Sequence, residues 1–105
     1  WNMEDGYDQS FVTSKNNDSL SIVAEALSSD EALHKQILST EPVIHFYTGK
    51  WIPVVIGKNR ETYSPFSGYC FETHGHPNAV NIPAFPDSIL RPGEVYKQTT
   101  IYKFK

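Results

Sequence analysis

One cysteine and one methionine are all the sulfur-bearing residues this 105-residue sequence contains. Cys70, standing alone, cannot close a disulfide within the chain, and its isolation fits a reducing compartment. Basic residues are also scarce: nine Lys and Arg face twelve Asp and Glu, for a net charge of −3. They are scattered rather than gathered in a stripe, so nothing is available to neutralise a phosphate backbone, and nucleic-acid binding is excluded as the main role. No apolar run approaches the ~20 residues a membrane-spanning helix needs. Internal repeats and low-complexity segments are absent as well. The expectation is a soluble cytoplasmic protein without membrane or nucleic-acid partners. The chain opens on Trp1 with no signal-peptide pattern, which predicts a processed N-terminus or a piece of a longer product. Asn17-Asp18-Ser19 forms a glycosylation triplet of the kind that arises often by chance.

What the sequence does contain is globular. Hydrophobic residues make up 39% and charged residues 20%, enough apolar material for one modest core. Residues 1–105 are therefore read as a single domain or part of one. Aromatic residues sit in alternating or β-branched contexts, which favours strands. In residues 98–104, Thr100, Tyr102 and Phe104 share one face at period two. The preceding Arg91-Pro92-Gly93-Glu94 is a turn, because Pro92 presets φ and Gly93 accepts a positive one. Residues 42–48, closed by Gly49, form a second strand, and residues 68–73 a third, with Cys70 and Glu72 on one face. Residues 7–13 are a plausible fourth. Residues 51–67 and 75–92, rich in Pro, Gly and Asn, read as loops. Residues 19–40 point two ways. Ser29-Asp30-Glu31 ahead of Ala32, Leu33, Ile37 and Leu38 has the look of a capped helix over 29–38. Leu20, Ile22, Ala24 and Ala26 instead alternate as a strand does.

Glu72 is the first candidate for chemistry. A carboxylate in so apolar a strand is expected to be at least partly buried, which would tune it towards general-base work. On residue chemistry alone the plainer reading is a solvated carboxylate at a strand end. His74-Gly75-His76, with His45 as a third imidazole, raises zinc, but H-x-H without further ligands is weak, and loop histidines in solvent are the favoured reading; no metal is assigned. Cys70 among aromatics reads as an inert small hydrophobe rather than a nucleophile. Trp1, Trp51, Phe46, Tyr47 and Tyr69 have faces suited to stacking on a sugar ring, although most are expected to fill the core.

Taken in order, the segments resemble a known family. Gly6-Tyr7-Asp8-Gln9-Ser10-Phe11 is similar to G-Y-D-H-x-F of the aldose 1-epimerases, and residues 40–49 to their T-x-P-G-x-Q-F-Y-T-G. Gly68-Tyr69-Cys70-Phe71-Glu72-Thr73 resembles G-F-C-L-E-T-Q, and residues 77–81 the following P-D-A-x-N. Residues 85–94 and 99–104 resemble the closing F-P-x-x-x-L-R-P-G-E and T-T-x-Y-x-F. The resemblance spans nearly the whole chain and implies an all-β fold, the C-terminal part of a galactose mutarotase-like antiparallel β-sandwich. It therefore favours a β-hairpin over residues 19–40, with its turn near residues 28–31. It also implies interconversion of the α and β anomers of aldohexoses such as galactose and glucose, without a cofactor. A glutamate removes the C1 hydroxyl proton, a histidine protonates the ring oxygen, the ring opens, and closure returns either anomer. Carried across, Glu72 falls on the catalytic base, Asp8 on an aspartate that binds sugar hydroxyls, and His45 on a sugar-contacting glutamine. Gln9, His45, His74 and Asn78 depart from the family's residues, and its acid histidine falls upstream of G-Y-D. The alternatives are a catalytically inactive truncated paralogue that binds carbohydrate or a protein partner, and a free-standing β-domain. An incomplete sandwich is also expected to self-associate through exposed strand edges.

Overall fold

The computed structural model describes residues 5–13 and 19–105; Trp1 and most of the glycosylation triplet lie outside that range. Among the described residues there are eight strands, β1 (Asp8–Val12), β2 (Ser21–Leu27), β3 (His34–Ser39), β4 (Val43–Tyr47), β5 (Val55–Ile56), β6 (Thr62–Tyr63), β7 (Cys70–His74) and β8 (Thr100–Phe104), with short 3-10 turns at Lys58–Arg60 and Ala79–Asn81. No α-helix occurs among the described residues, and hence no helix long and apolar enough to cross a membrane. The strands form two antiparallel three-stranded sheets, ordered β1-β4-β7 and β2-β3-β8, with β5-β6 as a small separate pair.

Composition explains why β4 is the centre of the first sheet. Val43-Ile44-His45-Phe46-Tyr47 is β-branched or aromatic at almost every position and suits a strand paired on both sides. Gly49 stops it at a φ of +79°, and a Cβ there would collide with the carbonyl oxygen of Gly68. The alternation of β4 divides the sheet into two unlike faces. Phe46 stacks on Phe71 at 4.7 Å on one of them, and Tyr69 meets Phe71 edge-on at 5.6 Å.

The second sheet covers that aromatic face. Lys35 of β3 sets its ammonium 5.2–5.9 Å from the rings of Tyr69, Phe71, Tyr102 and Phe104, its stem packed between the sheets. Tyr102 donates its hydroxyl to the Phe71 carbonyl at 3.1 Å, and the Thr73 and Thr100 hydroxyls meet at 2.6 Å. Among the described residues the buried apolar core is small: Ile37, Val43 and Ile44. Each contributes roughly 1.5–3 kcal/mol by leaving water.

Residues 19–40 form the β2–β3 hairpin that the family resemblance favours, not the helix. The cap-like residues are used in its turn. Ser28 and Leu33 exchange hydrogen bonds, with the Ser28 amide to the Leu33 carbonyl at 2.9 Å and the Leu33 amide to Ser28 Oγ at 2.9 Å. Asp30 accepts from the Ala32 amide at 3.2 Å, while Glu31 takes a left-handed φ of 58° that no helix tolerates. Residues 51–67 contain more order than the loop expected. The β5 and β6 segments pair across a 3-10 turn, Lys58–Arg60, too short to announce itself by periodicity. Residues 75–92 are irregular as expected apart from a 3-10 turn at Ala79–Asn81, and beyond them Tyr96 ties the chain down by donating its hydroxyl to buried Glu41 at 2.6 Å.

Candidate active site

The uncovered face of the first sheet carries the polar residues. Antiparallel register places Ser10 opposite His45 on one side and Glu72 opposite His45 on the other, while Asp8 pairs with Tyr47. Directly opposed residues share a face, with side chains about 4.5–5.5 Å apart at Cβ. Asp8, His45 and Glu72 therefore stand on one surface, across the three strands. They line an open cleft of about 620 Å³ together with Ser10, Tyr47, Trp51, His74 and Pro77. That volume suits a small polar molecule.

His45 sits at the centre, with both ring nitrogens engaged. Nε2 lies 2.9 Å from Asp8 Oδ1 and Nδ1 3.0 Å from Ser10 Oγ. Glu72 is exposed, so the partial burial expected of it does not occur: β7 is an edge strand, and the second sheet covers only the opposite face. Cys70 sits two residues back on the same face and donates its thiol to Glu72 Oε1 at 3.2 Å. Burial pushes the Cys70 thiol above its usual range, and the hydrogen bond to Glu72 raises it further. This holds Cys70 in the protonated, unreactive form.

His74 departs most from expectation. Taken for a loop residue, it is the last residue of β7 and faces the cleft beside Glu72. Its Nε2 lies 3.4 Å from Ser10 Oγ, its Nδ1 2.5 Å from the Gly75 carbonyl oxygen, and its ring 6.4 Å from that of His45. Extending the period-two pattern of Cys70 and Glu72 by one step would have found it. Ser10 was legible in the same way, two residues after Asp8. His76 instead stacks on Phe85 at 4.5 Å, outside the cleft. Among the described residues no three His, Cys, Asp or Glu side chains gather as metal ligands would.

The aromatic candidates divide by face. Tyr47 and Trp51 line the cleft, and Trp51 donates its backbone amide to the Tyr47 hydroxyl at 2.6 Å. Trp51 is 72% exposed at the rim, with the Lys50 ammonium 5.2 Å from its ring. Phe46 and Tyr69 belong to the aromatic face of the sheet.

Comparison with known proteins agrees with this architecture. The aldose 1-epimerase family model matches residues 2–103. Galactose mutarotase of Rattus norvegicus is 46% identical over 70 residues, which is 66% of this chain and 20% of that protein. Aldose 1-epimerase of Escherichia coli K12 is 33% identical over 101 residues, 94% of this chain and 29% of that protein. The crystal structure of a GalM/aldose epimerase homologue from C. elegans superposes with a TM-score of 0.80 at 31% identity, covering 94% of this chain and 30% of that one. The chain thus spans less than a third of the length of these relatives. With a family model covering almost its full length and the all-β fold in common, this chain belongs to the aldose 1-epimerase family.

Proposed function

We propose that this chain is the C-terminal segment of a mutarotase acting on aldohexoses such as galactose and glucose, with Glu72 as the general base. The observation that carries the reading is the register of β4 and β7, which sets Glu72 directly beside His45 while Asp8 holds His45 from the other side. Glu72 accepts the C1 hydroxyl proton as C1–O1 becomes a carbonyl and the bond from C1 to the ring oxygen breaks. Asp8 and His45 bind sugar hydroxyls, as the matching positions imply. Exposed Trp51 at the rim offers the indole face not occupied by the Lys50 ammonium to the C–H surface of the ring. No step of this chemistry calls for a cofactor.

Polarimetry on freshly dissolved α-D-galactose tests the assignment. The 105-residue chain is expected to accelerate anomer interconversion weakly. Without the remaining sugar contacts of a full-length relative, orientation is loose, and ~1 Å of misplacement costs about 10²-fold. Glu72→Gln should abolish what acceleration there is. Equal rates for the two chains would remove Glu72 from the role of base. Galactose-induced shifts of the cleft resonances without any turnover would favour the second reading, a carbohydrate-binding module.

A further inference from the structure

The two imidazoles of the cleft are held differently. His45 meets Asp8 Oδ1 through Nε2 at 2.9 Å and Ser10 Oγ through Nδ1 at 3.0 Å. A carboxylate accepts and does not donate, so the neutral His45 ring carries its proton on Nε2 and leaves Nδ1 as an acceptor. His74 is anchored at its other nitrogen. The carbonyl oxygen of Gly75 cannot donate either, so the 2.5 Å contact puts the His74 proton on Nδ1. Nε2 of the neutral His74 ring is then an acceptor, on a residue that lines the cleft.

Both acceptors face the same hydroxyl, and Ser10 has one proton to give. Its oxygen lies 3.0 Å from His45 Nδ1 and 3.4 Å from His74 Nε2, so the proton goes to His45. The longer contact sets an oxygen lone pair against a nitrogen lone pair. Among the described residues it is the polar contact that His74 Nε2 makes, so no side chain there supplies this acceptor with a proton. A ligand hydroxyl can supply it. A ligand group that only accepts would repeat the mismatch already present with Ser10, and such mismatches discriminate sharply between close analogues.

We propose that His74 is a specificity-determining residue whose Nε2 accepts a hydrogen bond from a sugar hydroxyl remote from C1. The assignment rests on the mutarotase reading, in which Glu72 marks the place of the C1 hydroxyl. Glu72 and His74 lie two positions apart on one strand face, about 6.5–7 Å along the backbone. Hydroxyls on adjacent pyranose carbons are within hydrogen-bond reach of each other, so the C2 hydroxyl stays near Glu72. The hydroxyl that reaches His74 is therefore one at C3, C4 or C6. His74 binds it and takes no part in the proton transfers of ring opening. The matching family motif has a glutamine at this position, and a glutamine amide can turn to offer either a donor or an acceptor. An imidazole with its tautomer fixed by Gly75 offers the acceptor alone, so it reads the hydroxyl more strictly.

Long-range ¹H–¹⁵N NMR on the 105-residue chain reads the tautomers without sugar. The expected result is a proton on Nδ1 of His74 and on Nε2 of His45, with Ser10→Ala displacing His45 Nδ1 more than His74 Nε2. A neutral His74 ring protonated on Nε2, or the reverse response to Ser10→Ala, overturns the proposal. Titration with galactose and its 2-, 3-, 4- and 6-deoxy and deoxyfluoro analogues, followed on the cleft resonances, reads the specificity. His74→Phe should bind galactose about two- to tenfold more weakly, the worth of one hydrogen bond. One of the 3-, 4- or 6-deoxy sugars should bind the wild type and His74→Phe equally. His74→Gln should keep most of the affinity for galactose and tolerate the deoxyfluoro analogue of that position better than the wild type does. Coupling of His74 to the C2 hydroxyl, or to none, overturns the assignment, as does a His74→Gln chain that binds galactose no better than His74→Phe. The Glu72→Gln polarimetry judges the mutarotase reading separately, so Glu72-dependent turnover beside a failed titration overturns the role of His74 alone.

Discussion

At the scale of single residues, the thiol of Cys70 and the carboxylate of Glu72 report on each other. Cys70 is raised first by burial and then by its 3.2 Å hydrogen bond to Glu72. Only the thiolate reacts, so Cys70 should label with a disulfide reagent at neutral pH more slowly than free cysteine. Glu72→Gln removes the negative charge but not the burial. The labelling rate is therefore expected to rise without reaching that of the free amino acid, as followed by thiol-exchange absorbance. An unchanged rate would mean that Glu72 does not face the thiol.

At the scale of elements, the β2–β3 hairpin carries most of the second sheet. Ile37, its central residue, is fully buried. Ile37→Ala removes that packing and is expected to cost 2–5 kcal/mol in chemical denaturation, enough to unfold much of the population of so small a domain. The hairpin turn should also respond to acid. Asp30 is held below the usual aspartate range by the Ser28 hydroxyl and then by the Ala32 amide. A carboxyl depressed in the folded state stabilises it above the unfolded value, and the contribution is lost as pH falls through the folded value. Thermal melts between neutral pH and pH 3 should therefore show a shallower acid loss for Asp30→Asn than for the wild type. An identical slope would remove the turn from the acid response.

At the scale of the whole molecule, the chain exposes more than a compact monomer does. Its accessible surface is 8034 Å², against roughly 5,900 Å² for a folded monomer of this mass. Its radius of gyration is 16.7 Å, against about 13 Å for a compact domain of this length. Val12, Ile56, Val95 and Phe104 are among the large apolar residues left more than half exposed. Edges also stay open at β1, β7, β2 and β8 among the described residues. We expect the isolated chain to be marginal, below ~5 kcal/mol, and to self-associate with concentration in analytical ultracentrifugation. A monodisperse monomer of higher stability would contradict both expectations.

Period-two alternation and turn chemistry are local properties, and the sequence alone determined what depends on them: the strands β1, β4, β7 and β8, the turn at Pro92-Gly93, and the shared face of Cys70 and Glu72. Motif order added the family. Residues 19–40 were not decided locally, because Ser29-Asp30-Glu31 serves a helix cap and a hairpin turn equally well. Pairing of β3 with both β2 and β8 settled the choice, and the β3–β8 pairs join residues more than sixty positions apart. The exposure of Glu72 likewise depended on which face the second sheet covers, which no pattern within β7 encodes. The convergence of Ser10, His45 and His74 needed the registers of two strand pairs, since neighbours across a sheet are set by hydrogen-bonded pairing and not by distance along the chain.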